Sequence, residues 1–432
     1  MICRRLSIKP DLLACAADKP GFFPALLESQ SSNSTTGGFD ILFAAPSIEV
    51  VAYDQQQLKQ LLKTIDTKPN QKAFNSPFQH GWLLYLSYES AYLMEPKLTH
   101  LLSPTDEPLA VAIYCQGSLV KDHSNGQYQL FASSEEVADQ ILEKTVTEKA
   151  TFNPLTELNE VEEEAGAVFE LAVKAAQKLI NSGDIYQANL SRQYVCHANS
   201  RIDPAAVYAQ LKISNPAPFA VLLQCHHFAV VSSSPERLLS IKQGMIETRP
   251  IAGTRPRGKT KAEDDALIKE LIDTPKERAE HIMLIDLERN DIGKVCEIGT
   301  VEVDELMGIE TYEHVHHIVS NVKGRLSPGV SVVDAIKALF PGGTITGCPK
   351  IRCMEVIHDI EQRHRSAYTG SVGYINHDGQ VDLNILIRTF GVNGQNIKFS
   401  AGAGIVFDSD PSAELIETRH KAKGMLNALG QT

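Results

Sequence analysis

The chain has 432 residues, 43% of them hydrophobic and 22% charged, with a formal net charge of −12. That composition describes a globular protein with ample material for a core. The acidic balance excludes a surface built for nucleic acid or an acidic membrane, both of which need clustered Lys and Arg.

Eight cysteines, at 3, 15, 115, 196, 225, 296, 348 and 353, form no Cys-x-x-Cys pair, so neither a zinc site nor a disulfide framework is expected. The opening MICRRLSIKPDLLACAADKP lacks an apolar stretch suited to a signal peptide, and no run of about eighteen apolar residues follows. No membrane partner and a cytoplasmic location are therefore expected.

From residue 1 to about 150, short β-like runs such as FDILFAAPSIEVVAY and GWLLYLSYES are broken by polar turns, including SQSSNSTTGG. NPLTELNEVEEEAG marks a boundary, and the apolar spacing of AVFELAVKAAQKLINSG predicts a helix that stops at Gly183. Strands are expected in IYQANLSRQYVC, FAVLLQCHHFAVVSSS and LLSIKQGMIETRPIAGT. Helical sequence occupies about 261–290, followed by strands over 367–376, 380–391 and 396–407. A last helix follows Ser409 or Asp410 as cap, with Pro411 in its first turn and Leu415, Met425, Leu426 and Leu429 as its apolar stripe. Blocks of strands and helices without regular βαβ alternation predict an α+β fold with mostly antiparallel sheet. We divide it at 155, into an amino-terminal part of the β-stack, 1–155, and a catalytic region, 156–432.

Two Glu-x-x-Glu pairs stand out: Glu277 with Glu280, and Glu414 with Glu417. Residues three apart share a helix face, so each helix can aim two carboxylates one way. Converging carboxylates repel unless a cation lies between them, and hard Mg²⁺ with an anionic substrate is the usual solution. A solvated helix face is the ordinary fate of one such pair; the segments between the two pairs argue for more. They include Glu236 in SSSPERL, Thr254 in RPIAGTRPRG, His314, His316 and His317 in HVHHIVS, Thr344 and Lys350 in FPGGTITGCPK, Tyr368 before GSVGY, Arg388 in LNILIRTF, and the glycines of AGAGIVFDSD. GGTITGCPK lacks the spacing of a phosphate-binding loop, so a nucleotide is not expected.

Together, PIAGTRPRG, AEHIMLIDLERND, GTITGCPKIRCMEVI, GSVGY, IRT and AGAGIVFDSDP with its following Glu-x-x-Glu-Thr resemble the chorismate-utilising enzymes, strongly over 165–428. The resemblance implies an anthranilate synthase component I-like fold, two stacked and largely antiparallel β-sheets flanked by helices. It implies Mg²⁺ on Glu280 and Glu417, with Glu277 and Glu414 behind them, and Glu236 as the acid that protonates the departing C4 hydroxyl of chorismate. Arg388 and Tyr368 match residues that grip the enolpyruvyl carboxylate. Gly402 and Gly404 match a main-chain carboxylate cradle, Thr254, Thr344 and His317 match other pocket residues, and Lys421 is an added cation. Ser29, Pro216, Ala217 and Pro218 match a tryptophan pocket, with an ordinary turn and cap as the competing reading.

Members that add water carry a lysine base where this chain has Gln187, so the resemblance implies ammonia as nucleophile. FPGGTITGCPK, YQANLSRQY, FDILFAAP and DLNILIRT resemble the members that make 4-amino-4-deoxychorismate for p-aminobenzoate and folate. Ala252 departs from them, since many carry there a lysine that attacks C2 covalently. Ala252 instead resembles the anthranilate-forming members, which are the alternative; a non-catalytic chorismate-binding or amino-acid-binding paralogue is the second. A glutamine amidotransferase subunit is the implied source of ammonia.

Overall fold

The computed structural model describes every residue except 31–37, 70–76, 153–154, 156–157, 227, 313–314 and 432. Most of the SQSSNSTTGG turn, part of the boundary near 155, and His314 therefore lie outside the described residues.

Alternation along the strands decides the layering, because successive side chains point to opposite faces. Leu83 and Tyr85 join Val111, Val221, Leu223, Val230, Val372 and Tyr374 in one core, between two sheets. Their neighbours Leu84 and Leu86 face the other way, packing with Leu58, Leu61, Ile285 and Leu339 from helices. Leu222 and Val231 do the same on the opposite outer surface, against Tyr208 and Met425. The result is two stacked antiparallel sheets with helices outside, as the sequence leads one to expect.

One layer runs through Gln187–His197, Asn396–Ile405, Thr389–Asn393, Phe228–Ser234, Phe219–Cys225, Ala25–Glu28 and Phe39–Ala52. The long strand Ala110–Asp122 pairs with Phe39–Ala52 and continues the ladder into Gly81–Leu86, Ser371–Asn376, Val381–Asn384, Arg237–Lys242, Met245–Thr248 and Val315–Arg325. Val315–Arg325 carries Ile251–Pro256 and Glu302–Thr311. Amino-terminal strands thus pair directly with carboxy-terminal ones in both layers.

The helical sequence at 261–290 forms two helices, Lys261–Asp273 and Pro275–Gly293, with Pro275 at the start of the second. Proline fixes φ and has no N–H to donate, which suits a first turn and ends the preceding helix. The predicted strand over 380–391 divides into Val381–Asn384 and Thr389–Asn393, because the chain changes layers between them. The C-terminal helix Pro411–Ala428 starts as expected, with Asp410 accepting the Ala413 N–H. Among the described residues no helix is long and apolar enough to cross a membrane.

Candidate active site

Two crossovers between the layers lie side by side and place the central pair of charges. Glu236 sits where the chain leaves Phe228–Ser234 for Arg237–Lys242, and Arg388 where it leaves Val381–Asn384 for Thr389–Asn393. Main-chain bonds stitch the two together: Ile385 N–H donates to Glu236 O and Ser233 N–H to Arg388 O, each at 3.0 Å. Arg388 has a φ of 52°, a conformation costly for a residue with a Cβ and held only where the surroundings dictate it.

The Glu236 carboxyl is 5% exposed and accepts the Thr344 hydroxyl at 2.7 Å. Burial pushes its pKa up to about 7; hydrogen bonds from Thr344 and Ile251 N–H pull against that, and the charge of Glu288 adds to it. A substantial fraction of Glu236 is therefore protonated near neutrality. Arg388 makes no ion pair or side-chain hydrogen bond among the described residues, and burial lowers its pKa against the opposing pull of Glu236. A guanidinium held in this way is a ready partner for a substrate carboxylate, which it can grip with two parallel hydrogen bonds.

Facing these crossovers is a strip of the strand Asn396–Ile405 without side chains. A Cβ on Gly402 would lie 2.5 Å from the Tyr368 hydroxyl and 2.9 Å from Asn189 Oδ1; one on Gly404 would lie 2.4 Å from Gln187 Nε2 and 3.4 Å from Glu280 Oε1. Glycine at both positions is a packing requirement, and it lets polar side chains lie directly on the strand. Gln187 Nε2 donates to Glu280 Oε1 at 3.0 Å, while Gln187 Oε1 is buried with no partner among the described residues. Tyr368 is buried, which pushes its phenol up to about 12 and keeps it a neutral donor.

The four glutamates lie on two helices, Pro275–Gly293 and Pro411–Ala428. Glu280 reaches Gly404 from Pro275–Gly293. Glu417, on Pro411–Ala428, pairs with Lys421 at 2.7 Å, and Lys421 also donates to the carbonyl of Gly402 at 3.0 Å. Glu277 is engaged by Arg255 at 3.2 Å and Glu414 by the Ser409 hydroxyl at 2.7 Å. Among the described residues no three of these glutamates bring oxygens within 4.8 Å of one another; Glu49, Cys225 and His226 do. The glutamate set is nevertheless all oxygen and adjoins a bare strand, a donor chemistry that suits a hard divalent cation which retains water ligands.

Thr254 and His317 face each other in register, with Oγ1 and Nδ1 2.9 Å apart. Burial, with Arg388 adding to it, lowers the His317 pKa to about 4, so this imidazole is neutral. Ala252 is buried opposite Ile318 on the same strand pair. Ser29 and the Pro216-Ala217-Pro218 turn also come together, since Gln30 N–H donates to Ala217 O at 3.0 Å and Ser29 N–H to Asp40 Oδ1 at 3.2 Å.

Sequence reasoning missed three contributors. Asn189 lies on the glycine strip. Glu361 and Arg365 form a buried ion pair at 2.7 Å, and Glu361 also accepts the Ser191 N–H at 2.8 Å, which fixes the Gln187–His197 strand from behind. Glu288 is the third, and helical spacing could have found it, since eleven residues after Glu277 is three turns.

A two-layer antiparallel stack that brings together a buried acid, an arginine without a side-chain partner among the described residues, two carboxylate helices and a bare strand is the framework of a chorismate-utilising enzyme. The chain belongs to that family: the model of the chorismate binding enzymes matches residues 24–427. It is 45% identical to an anthranilate synthase component I-like protein of Synechocystis, over 82% of this chain and 73% of that one. It is 40% identical to aminodeoxychorismate synthase component 1 of Bacillus subtilis, over 85% of this chain and 80% of that one. The crystal structure of anthranilate synthase component I from Streptococcus pneumoniae superposes with a TM-score of 0.79 at 31% identity, covering 91% and 93% of the two chains.

Proposed function

We propose that this protein aminates chorismate at C4 to give 4-amino-4-deoxychorismate, using ammonia from a glutamine amidotransferase subunit. The observation that carries the reading is a buried, proton-bearing Glu236 in a pocket where Gln187 occupies the place of the water-activating lysine. An amide cannot deprotonate water, so amination is favoured over hydration. Selectivity for C4 is supported by the FPGGTITGCPK loop and by the Bacillus subtilis aminodeoxychorismate synthase relative.

Arg388 and Tyr368 hold the enolpyruvyl carboxylate. Main-chain N–H groups at Gly402 and Gly404 approach the ring carboxylate, with Lys421 as a nearby cation. Glu280 and Glu417 would hold Mg²⁺, positioned by Glu277 and Glu414; the ion supplies charge neutralisation at the ring carboxylate. Glu236 gives its proton to the C4 hydroxyl, which leaves as water while a nucleophile adds at C2. Thr344 orients the carboxyl, and neutral His317 with Thr254 lines the pocket. Because Ala252 offers no amine, ammonia or another external nucleophile takes the C2 position first, and it departs from C2 with its bonding electron pair as ammonia enters at C4.

A second reading has ammonia remain at C2 and pyruvate depart, giving anthranilate. Ala252 and the relatives named anthranilate synthase favour it. Incubation with chorismate, Mg²⁺ and ammonium, with and without added aminodeoxychorismate lyase, separates the two. p-Aminobenzoate that appears only with lyase supports C4 amination; fluorescent anthranilate without lyase supports the second reading. Mg²⁺-dependent chorismate binding with no product in either arm would make the protein a binding paralogue.

A further inference from the structure

One short turn holds two buried carboxyl groups. In the 3-10 turn Gly343–Ile345, Gly343 N–H donates to Glu288 Oε1 at 3.1 Å, and the hydroxyl of the next residue, Thr344, donates to Glu236 Oε1 at 2.7 Å. Adjacent donors on one turn bring the two carboxyls into like-charge range. Glu288 is 3% exposed, and a Cβ on Gly343 would stand 2.9 Å from its Oε1. Two carboxylates so placed in dry surroundings resist ionising together, so the pair tends to retain one proton.

The surrounding charges differ on the two sides. Behind Glu288 stand Lys350, Asp291 and Lys294, with Asp291 paired to Lys294 at 2.7 Å and to Lys350. Asp291, Lys294 and Lys350 line a groove of about 730 Å³ on the outer side of the Pro275–Gly293 helix, so charge on the Glu288 side is compensated by permanent cations. The cations facing Glu236 are Lys421 and Arg388. Lys421 is held by Glu417, and Arg388 is the proposed partner of a substrate carboxylate.

We propose that Glu288 is a positioning residue for the acid: its charged carboxylate, fixed by Gly343 N–H beside Lys350, keeps the transferable proton on Glu236. The inference rests on Glu236 being the proton donor. Burial raises the proton affinity of both groups; Lys350, the Gly343 N–H and Lys294 pull that of Glu288 down against the opposing push of Asp291, and Glu288 pushes that of Glu236 up.

The test is the pH profile of kcat/KM for chorismate with ammonium as nitrogen donor. In the ratio of Glu288→Gln to wild type at each pH, the changing ammonia fraction cancels. Removing the like charge lets Glu236 ionise about one pH unit earlier. The ratio is expected to fall about fivefold between pH 6 and pH 8.5, while Glu288→Asp, which keeps the charge, gives a ratio that does not change with pH. A Glu288→Gln ratio independent of pH, whether near one or uniformly low, overturns the proposal, as does the same fall in Glu288→Asp. Should Glu288→Gln fail to fold, Lys350→Gln replaces it: without that cation the shared proton moves to Glu288 wherever the pair is protonated, so the ratio is expected to be low at pH 6 and to rise towards one by pH 8.5, and a flat ratio is again the contrary result. Glu236→Gln distinguishes the two levels of inference. If it retains turnover, the acid assignment fails and this proposal with it; if it is inactive while the Glu288→Gln ratio is flat, only the role of Glu288 fails.

Discussion

Gln187 Nε2 and Glu280 Oε1, 3.0 Å apart, join the strand Gln187–His197 of one sheet to the helix Pro275–Gly293, which packs on Ile251–Pro256 and Val315–Arg325 of the other. The contact is possible because Gly404 leaves the space that Gln187 occupies. A group that orients a metal ligand typically contributes 10–100-fold to metal affinity. Gln187→Ala is therefore expected to raise the Mg²⁺ concentration for half-maximal activity about tenfold, and Gly404→Ala, whose new Cβ would collide with the same amide, to raise it at least as much. A Mg²⁺ titration of ammonium-dependent turnover checks both; unchanged half-saturation in either variant contradicts the assignment of Glu280.

Among the described residues Arg388 has no side-chain hydrogen bond or ion pair to lose, so its replacement separates binding from stability. Hydrogen bonds to charged groups contribute about 1.5–3 kcal/mol, which corresponds to a 10–100-fold weaker Kd for chorismate in Arg388→Gln. Thermal melting of the unliganded variant should be no lower than wild type. A variant that binds normally, or that loses affinity only because it unfolds, contradicts the carboxylate-gripping role.

Glu236 makes stability depend on pH in a predictable sense. Its affinity for a proton is raised in the fold from 4.5 to about 7, so between those values the folded state holds more protons than the unfolded one. Stability from this group is then complete below pH 4.5 and is lost as pH rises through about 7. Glu236→Gln removes the dependence, so its stability relative to wild type should improve from pH 4.5 to pH 8, by about 3 kcal/mol at most at about 1.4 kcal/mol per pH unit. Urea unfolding at the two pH values measures the change; a difference that stays constant with pH means that Glu236 is not held protonated by burial.

The sequence made local features legible wherever local chemistry determines structure. Asp410 and Pro411 start the last helix because a capping oxygen and a fixed φ act within one turn, and the two Glu-x-x-Glu pairs share helix faces by geometry alone. What stayed hidden depends on distant partners. The run 380–391 reads as one strand, yet it turns at Arg388 because its two halves bond to different sheets, and no local pattern carries that information. Glu288 is one of several charged residues in AEHIMLIDLERND, and only Gly343 and Thr344, distant in sequence, bring it beside Glu236. The bare strip at Gly402 and Gly404 was visible as glycines, but its occupants, Tyr368, Asn189 and Gln187, come from elsewhere in the chain.

The most direct test of the account is Glu236→Gln in ammonium and Mg²⁺, with chorismate binding measured by calorimetry beside product formation. The proposed proton donor predicts a Kd within about threefold of wild type and a loss of kcat of about a thousandfold, in the range of general acid catalysis. A folded Glu236→Gln that binds chorismate and retains kcat within tenfold of wild type would contradict it.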